Sequence, residues 1–320
     1  MPQELRVGMC FDRTFPPAFV LEVGTRLESG GVDQLWVIED CFYTAGISLA
    51  AAALARTERL TLGLGILPAV ARNPAITAME ITTLSRLAPG RVIAGIGHGV
   101  RSWMEQIGAW TPSPVTTLHE VITAVRALLD GDTVTMDGRH VTLRDVVLDP
   151  PPDVAPPVLA GVRGPNSLAM AGRTADGLVL AEGSGPAYVR QALDQAGRPQ
   201  PFRVSVFTAL CVADDARDAR RSMAPFVAGL CASPTPNLRA HPHFAEIRSR
   251  WRDRGVEGLV DMPAQWWREL GAIGTLDDAV AHVHALRDAG ADDVSLFPDA
   301  DVEVARRQID DVIRLASAAR

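Results

Sequence analysis

The chain has 320 residues, of which 47% are hydrophobic, and it carries a net charge of −7. Its longest uncharged apolar run, residues 45–55, is far shorter than the ~20 residues of a membrane span, so we expect no membrane role. No cluster of basic residues is interleaved with aromatic ones, which argues against nucleic-acid binding.

Cysteine and lysine usage exclude further classes of protein. The four cysteines stand far apart without CxxC spacing, so we expect neither a disulfide framework nor a metal site. All 31 basic residues are arginine, which excludes lysine-based Schiff-base chemistry. The first residues show no charged-then-apolar leader, so we expect a cytoplasmic protein.

Short apolar runs alternate with helical segments along the first hundred residues. The runs are rich in Val, Ile and Leu and lack polar alternation, which indicates parallel strands covered on both faces. We predict strands at residues 5–11, 32–38, 60–66 and 91–96. We predict helices at residues 17–29 and 48–56, and a third beginning near Asn73 and Pro74, a capping residue and a first-turn proline.

The same rhythm continues after a helix at residues 116–129, interrupted by two insertions. Residues 133–147 alternate like a hairpin with a turn at Asp137 and Gly138, and residues 232–274 indicate a helical excursion. Further strands are predicted at residues 157–160, 177–180, 202–212 and 293–297. Further helices are predicted at residues 165–173, 186–195, 215–230, 276–289 and 302–318.

Eight strands, each followed by a helix, predict an α/β fold in which residues 1–320 form one (β/α)8 TIM-barrel domain with insertions. The alternative is a doubly wound open sheet. That fold calls for a glycine-rich phosphate loop after the first strand, whereas this strand is followed by Phe11, Asp12 and Arg13. We therefore favour the barrel, whose ligands bind at the carboxyl ends of the strands.

Three polar residues, Glu39, Asp40 and Cys41, end the second predicted strand. Because successive strand residues point to opposite sides, only one of the two carboxylates is expected to project into the barrel mouth. A surface carboxylate pair is the alternative.

The fourth predicted strand ends in Gly95, Gly97, His98 and Gly99. Glycines here can simply permit close backbone packing. A histidine between two glycines can also approach a planar ligand, and imidazole suits proton transfer near neutral pH. We therefore retain His98 as a candidate ligand contact and proton carrier.

A third candidate follows the fifth barrel strand, where Gly161, Arg163, Gly164 and Pro165 lead into a helix. Amides at a helix amino terminus together with an arginine can bind an anion, so we expect a phosphate site. An ordinary turn is the alternative. After the sixth barrel strand, Glu182 and Gly183 are expected to form the opposite wall of the site.

Four stretches in barrel order carry a family resemblance: GVDQLWVIEDCFY, LGLGILPAVARNPAITAMEITTLSRLAPGRVIAGIGHG, VLAGVRGPNSLAMAGRTADGLVLAEG and AGADDVSLFP. In these the chain resembles the luciferase-like monooxygenase superfamily. It looks most like the branch of oxidoreductases that use the deazaflavin coenzyme F420, which includes the methylenetetrahydromethanopterin reductases. The resemblance implies a bacterial-luciferase-like barrel.

The resemblance also implies roles for particular residues. Asp40 matches an acidic residue beside the cofactor ring, and Cys41 stands where many relatives have a histidine. The bond between Gly65 and Ile66 matches a cis peptide that supports the ring, with Pro68 lining the floor. His98, with Gly97 and Gly99 on either side, is expected at the ring edge, and the 161–165 loop is expected to hold the cofactor phosphate.

The function expected from this resemblance is hydride transfer between F420 and a small organic substrate. Asp40, His98 and Glu39 are the candidate proton carriers. One alternative is a monooxygenase of the same fold that uses reduced FMN. Another is a family member that binds cofactor without turnover, which the cysteine at position 41 motivates. A homo-oligomer, in the simplest case a dimer, is also expected.

Overall fold

The computed structural model describes residues 5–320 and contains a nine-stranded parallel sheet and a two-stranded hairpin. The strands are β1 Arg6–Phe11, β2 Gln34–Val37, β3 Thr61–Pro68, β4 Val92–Gly97, β5 Val134–Asp137, β6 Thr142–Val146, β7 Val158–Gly161, β8 Gly177–Leu180, β9 Arg203–Val212, β10 Gly271–Gly274 and β11 Asp293–Phe297. Eight of them close a ring in the order β1, β2, β3, β4, β7, β8, β9, β11 and back to β1. This closed ring confirms the predicted (β/α)8 TIM barrel.

Helices connect the strands on the outside of the barrel. Their bounds are α1 Phe19–Ser29, α2 Gly46–Leu54, α3 Pro74–Leu87, α4 Arg101–Gln106, α5 Pro114–Leu129, α6 Pro165–Thr174, α7 Pro186–Ala196, α8 Ala216–Ala232, α9 Pro236–Arg239, α10 Phe244–Val260, α11 Ala264–Trp267, α12 Leu276–Ala289 and α13 Val302–Ala318. The predicted cap of α3 is present, since the Asn73 side chain accepts a hydrogen bond from the Ala75 N–H. No helix within residues 5–320 is long and apolar enough to cross a membrane.

Both predicted insertions exist, with one difference. Strands β5 and β6 form the expected antiparallel hairpin. The second insertion is helical through α9, α10 and α11. Its last four residues form β10, which pairs in parallel with the last four residues of β9. The sequence analysis missed β10 because its four residues include two glycines and follow an irregular segment. It also missed the short helix α4.

The inside of the barrel is filled with apolar side chains beneath its carboxyl end. Cys10, Trp36, Leu159 and Phe207 belong to this buried cluster. A methyl group at Gly63 would lie 2.1 Å from the Trp36 ring, so the glycine makes room for the indole. Because the interior is packed, the ligand site of such a barrel is expected in the mouth formed by the carboxyl ends of the strands and their loops.

Candidate active site

The end of β3 has an irregular backbone. The bond between Gly65 and Ile66 is cis, as the family resemblance implied, and the register between β3 and β4 shifts between Leu64 and Leu67. The Ile66 side chain lies over two glycines of neighbouring strands. A methyl group on Gly97 would lie 2.1 Å from Ile66 Cδ1, and one on Gly161 would lie 2.7 Å from Cγ2. The absence of both side chains leaves room for Ile66, whose half-buried side chain offers an apolar surface.

Glu39 links the loop after β2 to the loop after β3. Its side chain is only 9% exposed and accepts hydrogen bonds from Arg72 at 2.5 and 3.0 Å. It also accepts one from the Gly46 N–H at 2.9 Å, and Arg72 reaches Glu80 at 3.2 Å. Both carboxylate oxygens of Glu39 are therefore engaged, which is the geometry of a buried structural ion pair and not of a free proton carrier.

Asp40, the next residue, is more exposed and differently bonded. Its Oδ2 accepts a hydrogen bond from Arg13 Nη1 at 2.6 Å, and 29% of its side chain is exposed. Its Oδ1 makes no hydrogen bond to any other residue in the range 5–320. Of the two carboxylates that end β2, Asp40 is thus the one with an oxygen available to a ligand.

Cys41 is a protonated thiol in this environment. Burial, followed by the charges of Glu39 and Asp40, raises the pKa of Cys41, and the nearby Arg72 only partly opposes these effects. A thiol is a nucleophile or base only as its thiolate. Cys41 is therefore a weak acid that is rarely present as the thiolate, whereas the adjacent Phe42, which is 62% exposed, offers an apolar surface.

His98 contacts the loop region after β7. Its Nε2 lies 3.0 Å from the Oγ of Ser167, in the first turn of α6. Burial lowers the pKa of His98, against the opposing effect of the Pro114 backbone, so the imidazole is neutral at pH 7. The residue thus connects the end of β4 to the predicted phosphate loop. On the other side of His98, Gly99 has a φ of 73° and lies against Pro68.

The predicted phosphate loop leads into a helix whose amino terminus is open. Gly164 is the capping residue of α6, and no side chain caps the helix, so the first-turn N–H groups after Pro165 have no side-chain acceptor. Arg163 stands beside this turn with 41% of its side chain exposed. Its carbonyl accepts a hydrogen bond of 2.6 Å from the Tyr188 hydroxyl, and burial raises the pKa of that phenol to about 12, which keeps the donor protonated.

The loop after β8 lies beside the loop after β7. Glu182 Oε1 lies 3.8 Å from Arg163 Nη2. The Glu182 carbonyl accepts a hydrogen bond of 2.8 Å from Asn237 Nδ2, in the second insertion. Gly183 adopts a φ of 82°, a conformation that favours glycine. The insertion therefore braces the loop after β8.

The structure brings Asp40, His98, the Ile66 surface and the 161–165 loop to one end of the barrel. It also reveals Arg13, Arg72 and Ser167, which the sequence analysis did not select. The position of Arg13 directly after β1 was the available signal, because loops after barrel strands carry functional residues. Within residues 5–320, no three potential metal ligands cluster.

The closed parallel ring of eight strands, with helices between them and polar loops at its carboxyl end, defines an α/β-barrel protein. The family model for luciferase-like monooxygenases matches residues 4–293. The chain therefore belongs to the luciferase-like monooxygenase family.

Within this family, the chain is similar to several named reductases and dehydrogenases. The chain is 28% identical over 300 residues to a 5,10-methylenetetrahydromethanopterin reductase of Methanolobus tindarius, covering 88% of this chain and 91% of that protein. It is 33% identical over 183 residues to an F420-dependent glucose-6-phosphate dehydrogenase of Beutenbergia cavernae, covering 53% and 54%. The solved coenzyme F420 dependent tetrahydromethanopterin reductase from Methanopyrus kandleri superposes with a TM-score of 0.78 at 21% identity, covering 97% and 99%, which supports the fold.

Proposed function

We propose that this protein is an F420-dependent oxidoreductase that transfers a hydride between the deazaflavin and a small organic substrate. Beside the F420-dependent relatives, the observation that carries the proposal is the adjacency of the apolar Ile66 side chain and the predicted anion site at the start of α6. Gly161 lies beneath Ile66, and two residues later Arg163 stands at the open first turn of α6. A flat ring with a phosphate-bearing side chain matches this pair of surfaces.

The residues present fit such a cofactor. Arg163 and the first-turn amides of α6 would hold the phosphate, while Ile66 and Pro68 would support the ring. The bound cofactor supplies the hydride donor or acceptor, which no amino-acid side chain can provide. The chain's own contributions are binding, orientation and exclusion of water.

Proton transfer at the site is assigned to Asp40. Glu39 is held by Arg72 at 2.5 Å, and the raised pKa of Cys41 makes that thiol a weak acid and seldom a thiolate base. Burial lowers the pKa of His98, which makes its imidazole a weaker proton acceptor, and its Nε2 lies 3.0 Å from Ser167 Oγ, so its expected role is to position the first turn of α6. Asp40 therefore remains as the carboxylate that can exchange a proton with a ligand in the mouth.

The alternative within the same fold is a monooxygenase that uses reduced FMN, since FMN also joins a flat ring to a phosphate. Titration of the purified protein with F420 and with FMN separates the two, because each cofactor's fluorescence changes on binding. Tight F420 binding with weak FMN binding supports the proposal, whereas tight binding of FMN alone overturns it. Stable F420 binding without reduction of any electron acceptor would favour the non-catalytic reading.

Two further properties belong to the proposal. The exposed apolar residues Ile76, Met79 and Leu87 follow one another along α3, which suits self-association into a dimer. Sedimentation velocity measures the oligomeric state directly.

We also expect a cytoplasmic location. All four cysteines are free, which is typical of proteins in a reducing compartment such as the cytoplasm.

A further inference from the structure

Arg13 joins three of the loops that form the mouth of the barrel. It lies in the loop after β1, and its Nη1 donates a hydrogen bond of 2.6 Å to Asp40 in the loop after β2. Its guanidinium carbon is 4.8 Å from the ring centroid of Tyr43, in that same second loop. It is also 5.6 Å from the ring centroid of Trp103, in α4 after β4.

These contacts suit arginine and not another cation. A guanidinium is planar, so it can lie against aromatic rings while its edge donates to a carboxylate. The loop that carries it is itself ordered, because the Asp12 side chain accepts hydrogen bonds from the Thr14 N–H at 2.8 Å and from its hydroxyl at 2.6 Å. Arg13 therefore has a defined position from which to orient a partner.

The partner that Arg13 orients is Asp40. The ion pair occupies Oδ2 and leaves Oδ1 without a hydrogen bond to any of residues 5–320. The other charged contact of this segment, between Glu39 and Arg72, uses both carboxylate oxygens and is more deeply buried. Arg72 thus holds the buried Glu39, and Arg13 holds the more exposed Asp40.

We propose that Arg13 is a positioning residue that holds Asp40 in contact with the bound cofactor. This inference rests on the proposed function, because it takes the ligand in the mouth to be the cofactor. The side chains of Arg13 and Asp40 are 37% and 29% exposed, and exposed ion pairs add little to folding stability. The effect of Arg13 is therefore expected in ligand affinity and not in the unfolding temperature.

A double-mutant cycle tests the inference, with the dissociation constant for F420 as the readout. Arg13→Gln is expected to raise that constant about tenfold in the wild-type background, within the range of couplings between contacting residues. In the Asp40→Asn background the same substitution is expected to change it less than about twofold, because the oriented charge is already gone. The dissociation constant of the Arg13→Lys variant is expected to lie between those of the wild-type and Arg13→Gln proteins, since lysine retains the charge and loses the planar stacking.

Arg101→Gln is the matched control. Arg101 also pairs with a carboxylate, Glu105 at 2.7 Å, and lies 5.3 Å from the Trp110 ring centroid, but it does not contact Asp40. It should leave F420 affinity unchanged. Additive effects of Arg13→Gln and Asp40→Asn, or an equal loss in the control, would overturn the inference.

The same cycle is run with FMN, so that the two proposals can fail separately. If FMN binds and F420 does not, the proposed function is wrong, while non-additivity in the FMN dissociation constant still supports the role of Arg13. If F420 binds and the cycle is additive, the proposed function stands and the role of Arg13 is wrong. If the wild-type protein binds neither cofactor, both are overturned.

Discussion

Asp293 accepts two hydrogen bonds from Arg203 at the closed end of the barrel, at 2.5 Å from Nε and 2.9 Å from Nη2. The carboxylate is fully buried and also contacts Arg6 at 2.9 Å, Gln34 at 2.6 Å and Ser205 at 2.7 Å. One side chain thus links the beginnings of β1, β2, β9 and β11. The contact lies at the opposite end of the barrel from the proposed cofactor site.

Replacing Asp293 with asparagine should lower the free energy of unfolding by about 3 to 5 kcal/mol, because it leaves the charges of Arg203 and Arg6 without a buried partner. Urea unfolding followed by far-ultraviolet circular dichroism measures the change. Asp310→Asn is the control, since Asp310 pairs with Arg26 while 69% exposed and should change stability by less than about 1 kcal/mol. Equal effects of the two substitutions would contradict the assignment.

The architecture of the fold could be predicted because the barrel strands are continuous apolar runs. The six residues of β4, for example, are all buried and none has a polar side chain, so the run shows no polar alternation. Strand β10 escaped prediction because two of its four residues are glycine and it follows an irregular segment, and its pairing with β9 depends on the three-dimensional path of the insertion.

The site could be predicted only in part, because its interactions join distant residues. Asp40 and Arg13 are 27 positions apart, and Glu39 and Arg72 are 33 apart. Alternation along a strand predicts that the side chains of Glu39 and Asp40 point in different directions. It does not predict which arginine pairs with each carboxylate. His98 was selected from its position between two glycines at the end of a predicted strand, but its neighbour Ser167 is 69 positions away.

His282 should make stability depend on acidity between pH 4 and 6.5. It is fully buried between Thr208 Oγ1, 2.9 Å from Nε2, and the Arg268 carbonyl, 2.5 Å from Nδ1. A carbonyl only accepts, so Nδ1 carries the proton and Nε2 accepts from the hydroxyl. Burial lowers the pKa of His282 from 6.5 to about 4, which outweighs the opposing effect of the carbonyl.

The sign follows from proton uptake. Between pH 6.5 and 4 the unfolded chain binds a proton at this residue that the folded chain does not, so stability is complete above pH 6.5 and falls as the pH drops toward 4. The loss should reach about 3 kcal/mol from this residue. Urea unfolding at several pH values measures the slope, and His282→Asn should flatten it whatever its effect on absolute stability. An unchanged slope in the variant would assign the pH dependence to other groups.

Gly97 should tolerate no side chain. A methyl group there would lie 2.1 Å from Ile66 Cδ1 and 2.6 Å from the Gly161 carbonyl oxygen, and the second contact is with backbone. Gly97→Ala should therefore destabilise the protein by about 1 to 3 kcal/mol and displace Ile66 from the proposed ring surface. Differential scanning fluorimetry and F420 titration measure the two effects. Gly229→Ala, with no atom within 4 Å of the added methyl group, should not lower stability.

Arg163 should contribute to affinity through the phosphate alone. Its guanidinium is 41% exposed beside the open first turn of α6, so a phosphate there gains a charge-assisted hydrogen bond that remains partly screened by solvent. Arg163→Gln should raise the dissociation constant of F420 by about tenfold, the lower part of the range for hydrogen bonds to charged groups. Binding of the same deazaflavin without its phosphate should be weaker in the wild-type protein and nearly insensitive to the substitution. Fluorescence titration of both compounds against both proteins provides the comparison. An equal loss for the two compounds would mean that Arg163 contacts the ring or stabilises the loop, and that the phosphate is held elsewhere.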